Sequence, residues 1–103
     1  MHSAWIYIIT NTSNTTLYVG VTNDLPTRLW EHRTKQNSQS FSARYNLAKL
    51  IYYENFESIE EAIKREKYIK GKTRRWKEEL IRTMNSDLID LTEEVNKKIR
   101  TSS

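Results

Sequence analysis

Five side chains carry the chemistry open to this sequence: Tyr7, Tyr18, Arg28, His32 and Glu66. Glu66 falls on a stripe with Ile59, Ala62, Ile63 and Ile69, at the steps of three and four that mark one helix face. A carboxylate there points at a core, where desolvation is costly unless a basic side chain or a metal ion meets it. Arg28 and His32 lie four residues apart on a stripe with Leu25 and Leu29, and Tyr7 and Tyr18 stand in neighbouring strand-like runs. Taken singly, each has a plainer reading: a buried salt bridge, a snorkelling arginine, a satisfied histidine, tyrosines that pack. Directed together at one sheet, they suit phosphate chemistry, which needs an activated water, neutralised charge at phosphorus and help for the leaving oxygen.

The elements that must position them follow from patterning. Residues 5–10 (WIYIIT) and 16–22 (TLYVGVT) are β-branched and aromatic, and the polar break between them turns an antiparallel hairpin. Both strands are apolar on both faces, which predicts a sheet covered on each side. Asn23 and Asp24 can cap a helix from Leu25 to about Thr34, with Pro26 in its first turn. Residues 36–42 read as a polar, Ser-rich mobile loop and Lys49 to Phe56 as a third strand. Ser58 and Glu61 form a capping box opening a helix to about Lys70, with Gly71 at its C-terminal cap. Thr73 begins a helix to about Met84. Leu88, Leu91, Val95 and Ile99 recur at helical spacing and predict a last helix. The expected fold is α+β: a three-stranded antiparallel sheet flanked by helices, in the order β-β-α-β-α-α-α.

With 103 residues the chain has room for one modest core, and it shows no membrane-length apolar run and no signal-peptide pattern. It contains no cysteine, which excludes disulfides and thiolate ligands and fits a cytoplasmic location. Oxygen donors and the two histidines are the metal ligands left, which favours a hard cation such as Mg²⁺. The net charge of +4 is unevenly spread. Lys64, Arg65, Lys67, Lys70, Lys72, Arg74, Arg75 and Lys77 crowd a stretch whose single acid is Glu66. Such a block attracts polyanions, nucleic acid foremost, although a solvated helix face is the plain alternative.

Trp5-Ile6-Tyr7, followed by Tyr18-Val19-Gly20, resembles the paired motifs that name the GIY-YIG nuclease superfamily. Residues 21–32 (VTNDLPTRLWEH) resemble its first helix, 49–54 (KLIYYE) its third strand and 61–70 (EAIKREKYIK) its Glu-bearing helix. The likeness spans residues 1–91, read as the nuclease domain, with 92–103 as a helical tail packed on or extending from it. It is nearest to the short stand-alone bacterial members called URI-domain proteins. Trp5 replaces the Gly of the first motif, and Val21 stands where excision-repair relatives carry a lysine.

The resemblance implies a metal-dependent DNA endonuclease of repair or processing. Glu66 would hold one Mg²⁺ or Mn²⁺, Arg28 the phosphate oxygens, Tyr7 the general-base role with Tyr18 orienting water or phosphate, and His32 a proton relay. A base role requires nearby cations to lower a phenol pKa from about 10. Gly20 and Asn85 would support the site, and the basic run would face DNA. Expected partners are DNA, with RNA not excluded and no membrane, on a monomer or weak homodimer. No second, recognition domain is visible, which implies low sequence specificity and a leaning towards branched, nicked or single-stranded DNA. Two alternatives share many of these residues: a nucleic-acid-binding module without turnover, and a structural scaffold in which Arg28 and Glu66 merely pair.

Overall fold

A computed structural model describes residues 4–34 and 49–101. The elements are β1 (Ala4–Thr10), β2 (Leu17–Thr22), α1 (Leu25–Thr34), β3 (Lys49–Phe56), α2 (Ile59–Lys70), α3 (Arg74–Arg82) and α4 (Thr92–Thr101). The order is the expected α+β order. The stretch read as a mobile polar loop, 36–42, lies outside the described residues.

The sheet runs β2-β1-β3, with both pairings antiparallel, so the apolar β1 is the central strand. Its hairpin to β2 turns on Asn11, whose side-chain oxygen accepts from the amides of Thr15 (2.9 Å) and Thr16 (3.2 Å). Asn14 takes the left-handed conformation at φ 58°, which asparagine tolerates better than most residues. The register of β1 on β3 slips between Ile8 and Ile9, which face Tyr52 and Leu50. The extra residue, Ile51, makes a bulge, and it turns Ile51 and Tyr52 into the same core cluster.

Two cores result, one on each face of the sheet. One gathers Ile6, Ile8, Val19, Ile51 and Tyr52 under Ala62 and Ile69 of α2 and Ile81 of α3. The other gathers Tyr7, Ile9, Leu50 and Tyr53 under Leu25 and Leu29 of α1 and Leu91 and Val95 at α4. Burial on both faces explains why the strands read as continuous apolar runs.

Caps set the helix starts. The Asp24 side chain accepts from Thr27 N, Ser58 from Glu61 N, and Thr73 from Trp76 N. Two expectations need correction, and a third, the Gly71 cap, holds in a conformation that any residue adopts. In α2, Ile59 and Ile63 are exposed, because the face in contact with the sheet is Ala62 and Ile69. Gly71 caps α2 in a right-handed conformation (φ −77°), so the cap makes no use of glycine's conformational freedom. Leu88 is not helical: it lies in a turn at φ 54° and packs into the first core, while Leu91 and Val95 belong to the second. Helical spacing is real from Leu91 to Ile99, and Leu88 matched it by coincidence.

Edge strand β3 is covered where Leu50 O accepts from Leu91 N (2.8 Å) and Leu50 N donates to the Asp90 carboxylate (3.2 Å). Asp90 also accepts from Thr92 N, the Thr92 hydroxyl and Arg33 of α1, which fastens α4 beside α1. No helix among the described residues is long and apolar enough to cross a membrane.

Candidate active site

Cross-strand register puts Tyr7 opposite Gly20. The phenol lies over the glycine so closely that a Cβ there would sit 2.4 Å from Tyr7 Cζ and Oη. Glycine is required at position 20 for close approach of a ring. Its backbone angles are ordinary.

Tyr7 is completely buried, and its hydroxyl is 3.0 Å from His32 Nε2 of α1. Tyr18, two residues before Gly20 on β2, closes a triangle of rings. The centroids are 6.3 Å apart for Tyr7–Tyr18, 5.7 Å for Tyr7–His32 and 5.8 Å for Tyr18–His32. Arg28, one turn before His32, acts on the Tyr7 phenol through both its charge and hydrogen bonding. Its ion pair to Glu31, at 3.4 Å, is half-exposed at both ends and therefore weak.

Glu66 comes from the other side of the sheet, on α2. Its side chain is only 13% exposed, and its carboxylate pairs with Lys70 Nζ at 2.8 Å. Lys70 also lies 6.0 Å from the Tyr18 ring centroid. The Glu66 charge is felt at the Tyr7 phenol. Glu66 and Arg28 each have a separate partner, so the scaffold in which those two pair is not the arrangement found.

The electrostatics correct one expectation. The Tyr7 pKa is not lowered by its neighbours. Burial pushes it well above the phenol range, the Tyr18 phenol and the Glu66 charge add to this, and Arg28 opposes without winning. The His32 pKa is lowered, first by burial and then by the Arg28 charge, with Glu31 opposing. At neutral pH the pair is therefore a protonated phenol against a neutral imidazole. Arg28 can only donate, so the phenol oxygen serves it as acceptor, and with the imidazole proton on Nδ1 the phenol donates its own proton to His32 Nε2.

The remaining residues singled out from the sequence are dispersed. Asn85 is buried elsewhere: its amide donates to the carbonyls of Ile51 (3.1 Å) and Ile89 (2.8 Å) and accepts from Ile89 N (3.1 Å). It fastens the turn after α3 to β3. Arg65 forks onto Glu54 at 2.9 and 3.0 Å, and Arg74 holds the carbonyls of Asn14 and Thr15 together with Glu78. Both are structural clasps rather than parts of a free basic rim. Lys64, Lys67 and Arg75 are exposed. Lys72 rests on the rings of Tyr68 and Trp76, and Lys77 is half-buried. Lys70, expected to face DNA, sits on Glu66 and beside Tyr18. The i,i+4 spacing of an acid before a lysine was the signal for that pair.

Residues 3–79 match the GIY-YIG catalytic domain. The chain belongs to that family. GIY-YIG relatives of similar size include a UPF0213 protein of Limosilactobacillus reuteri, 37% identical over 84% of this chain and 91% of that protein. A second, from Clostridium perfringens, is 34% identical over 89% of this chain and 97% of its own length. The solution NMR structure of a UPF0213 protein from Bacillus halodurans superposes with a TM-score of 0.54 at 25% identity, covering 88% of this chain and 95% of that one. The GIY-YIG domain is a nuclease-type domain, and its two name motifs here supply the Tyr7, Tyr18 and Gly20 just described.

Proposed function

We infer that the chain is a metal-dependent endonuclease that hydrolyses DNA phosphodiesters with little sequence specificity. The observation that carries this reading is the 3.0 Å contact between the Tyr7 hydroxyl and His32 Nε2, beneath Arg28 and within the field of Glu66.

A free phenolate is not needed. As water attacks phosphorus, its proton passes to the Tyr7 oxygen while the Tyr7 proton passes to His32 Nε2. The phenol stays neutral and the imidazole becomes imidazolium. A neutral His32 below its usual pKa is ready to accept at neutral pH. Tyr7 is covered, so the water must enter beside the two groups nearer the surface, Tyr18 and Arg28. The Arg28 guanidinium can leave its weak pair with Glu31 for two non-bridging phosphate oxygens.

Glu66 fits a divalent ion, because it is a mostly buried carboxylate that already holds a cation, the Lys70 ammonium. Among the described residues no group of three or more His, Cys, Asp or Glu converges, so the ion would keep most of its water, as Mg²⁺ does. When bound, Mg²⁺ or Mn²⁺ supplies positive charge to the phosphate and the departing 3′ oxygen.

The same Glu66–Lys70 pair is the one observation favouring a binding module without turnover, since it leaves the acid neutralised. Supercoiled, branched and single-stranded DNA incubated with Mg²⁺, Mn²⁺ or chelator decides between the two. The nuclease reading requires cutting that chelator and Glu66→Gln both abolish, while DNA binding and fold persist. DNA bound but left uncut in every metal condition sinks it. A role in DNA repair or processing is part of this proposal, and cutting of branched substrates would support it.

A further inference from the structure

Tyr68 has no place in the chemistry above, yet it is held in a definite position on α2. Its side chain is 51% exposed. Trp76 of α3 meets its ring edge-on, with centroids 5.8 Å apart and an interplanar angle of 80°. Lys72 Nζ lies 4.4 Å from the Tyr68 centroid and 5.6 Å from that of Trp76. Arg65, itself fixed by Glu54, puts its guanidinium carbon 5.6 Å from the same ring. The ring has half its surface in water and an edge-to-face brace from Trp76, and the Lys72 ammonium now over it is one that a nucleotide's phosphate can draw aside as the base takes its place.

Position on the helix says where such a partner would come from. At 3.6 residues per turn, Glu66 and Tyr68 fall on opposite flanks of α2. The solvent-facing arc between them carries the exposed Lys67 and Lys64, while the acids Glu60 and Glu61 are confined to the first turn. Crossing a helix spans about 10 Å, a distance that a stacked strand covers in about three nucleotides. The charge on that path is complementary to a phosphate backbone.

We propose that Tyr68, backed by Trp76 and flanked by Lys64, Lys67 and Lys72, is a stacking platform for an unpaired base of single-stranded DNA whose backbone crosses α2 from the Glu66 side. A base inside a duplex has both faces covered by its neighbours and cannot use the platform. The surface therefore selects strands with an unpaired stretch beside the bond to be cut. This inference rests on the nuclease reading for the position of that bond, but the binding it describes is measurable without any cutting.

The test uses the full chain carrying Glu66→Gln, with fluorescent oligothymidylate, an abasic strand of equal length and a duplex as probes. Oligothymidylate is expected to bind more tightly than the abasic strand by about 5- to 150-fold, the range of one base–aromatic stack. Tyr68→Leu removes that margin and leaves duplex binding and the salt dependence in place, whereas Tyr68→Phe keeps it. Should Tyr68→Leu fail to fold, Tyr68→Trp is expected to widen the margin. A margin that survives Tyr68→Leu, or equal binding of both strands, overturns the proposal. So does a Tyr68→Leu effect confined to self-association of the protein, which would make the patch a contact between copies. Plasmid cutting by the chain with Glu66 intact is scored separately. Tyr68-dependent strand binding without any cutting sinks the nuclease reading alone, and cutting with Tyr68-independent binding sinks the platform alone.

Discussion

Gly20→Ala is the most exacting test of how the site is assembled. The added methyl would meet Tyr7 Cζ and Oη at 2.4 Å and Cε2 at 2.9 Å, so the ring must move by about 1 Å to regain ordinary carbon contacts of about 3.5 Å. Tyr7 has no exposed surface to move into. Overpacking of this kind costs about 1–3 kcal/mol. Losing the hydrogen bond to His32 adds about 1 kcal/mol. The expected total is about 2–4 kcal/mol, part of a domain stability of order 5–15 kcal/mol, so the fold survives. In urea the midpoint falls by about 1–2 M for a slope near 2 kcal/mol/M. The decisive measurement is a double-mutant cycle with Tyr7→Leu, which removes the ring. In that background Gly20→Ala should cost less than about 1 kcal/mol, giving a coupling of about 1–3 kcal/mol. Additive effects, or a neutral Gly20→Ala, would refute the claim that position 20 is glycine because of the ring across from it.

Three further outcomes follow from the geometry. Asn85→Ala strands two carbonyls and an amide, and should destabilise by about 1–3 kcal/mol in chemical denaturation while sparing cutting per folded molecule. The His32 pKa is lowered on folding, so its contribution to stability is complete above its unfolded value of 6.5 and is lost as pH falls through the lower folded value. Thermal melts of the parent should show that acid loss, and His32→Gln should show less of it. Lys70→Ala removes the resident cation from Glu66, so the Mn²⁺ concentration giving half-maximal cutting should drop about 2- to 5-fold, the worth of a partly exposed pair. An unchanged midpoint would mean that Glu66 is not where the ion sits.

Much of the fold was legible because its signals were local. The β-branched runs, the Ser58 and Thr73 caps and the Asp24 cap each act within a few residues, and sequence spacing reports them faithfully. Leu88 and Ile63 misled because a helical interval does not say which face a neighbour will cover. The dispersal of Arg65 and Arg74 was hidden for a related reason. Their partners, Glu54 and the carbonyls of Asn14 and Thr15, are distant in the chain, and charge counting cannot see them. The direction of the Tyr7 pKa shift was missed because it turns on burial from both a strand neighbour and two helices, which outweighs the single guanidinium beside it.

Residues 92–101 lie beyond the stretch matched to the catalytic family, yet Val95 and Leu91 share a cluster with Tyr7. The last helix is fastened through Asp90 to Arg33 and through Glu94 and Lys98 to the Tyr53 hydroxyl. Short, peripheral helices open far more often than whole domains unfold. Each such opening would wet the phenol and slacken its grip on the imidazole. Whatever seizes or releases this segment would then set how many molecules stand ready to react, from a distance and without touching the reacting atoms.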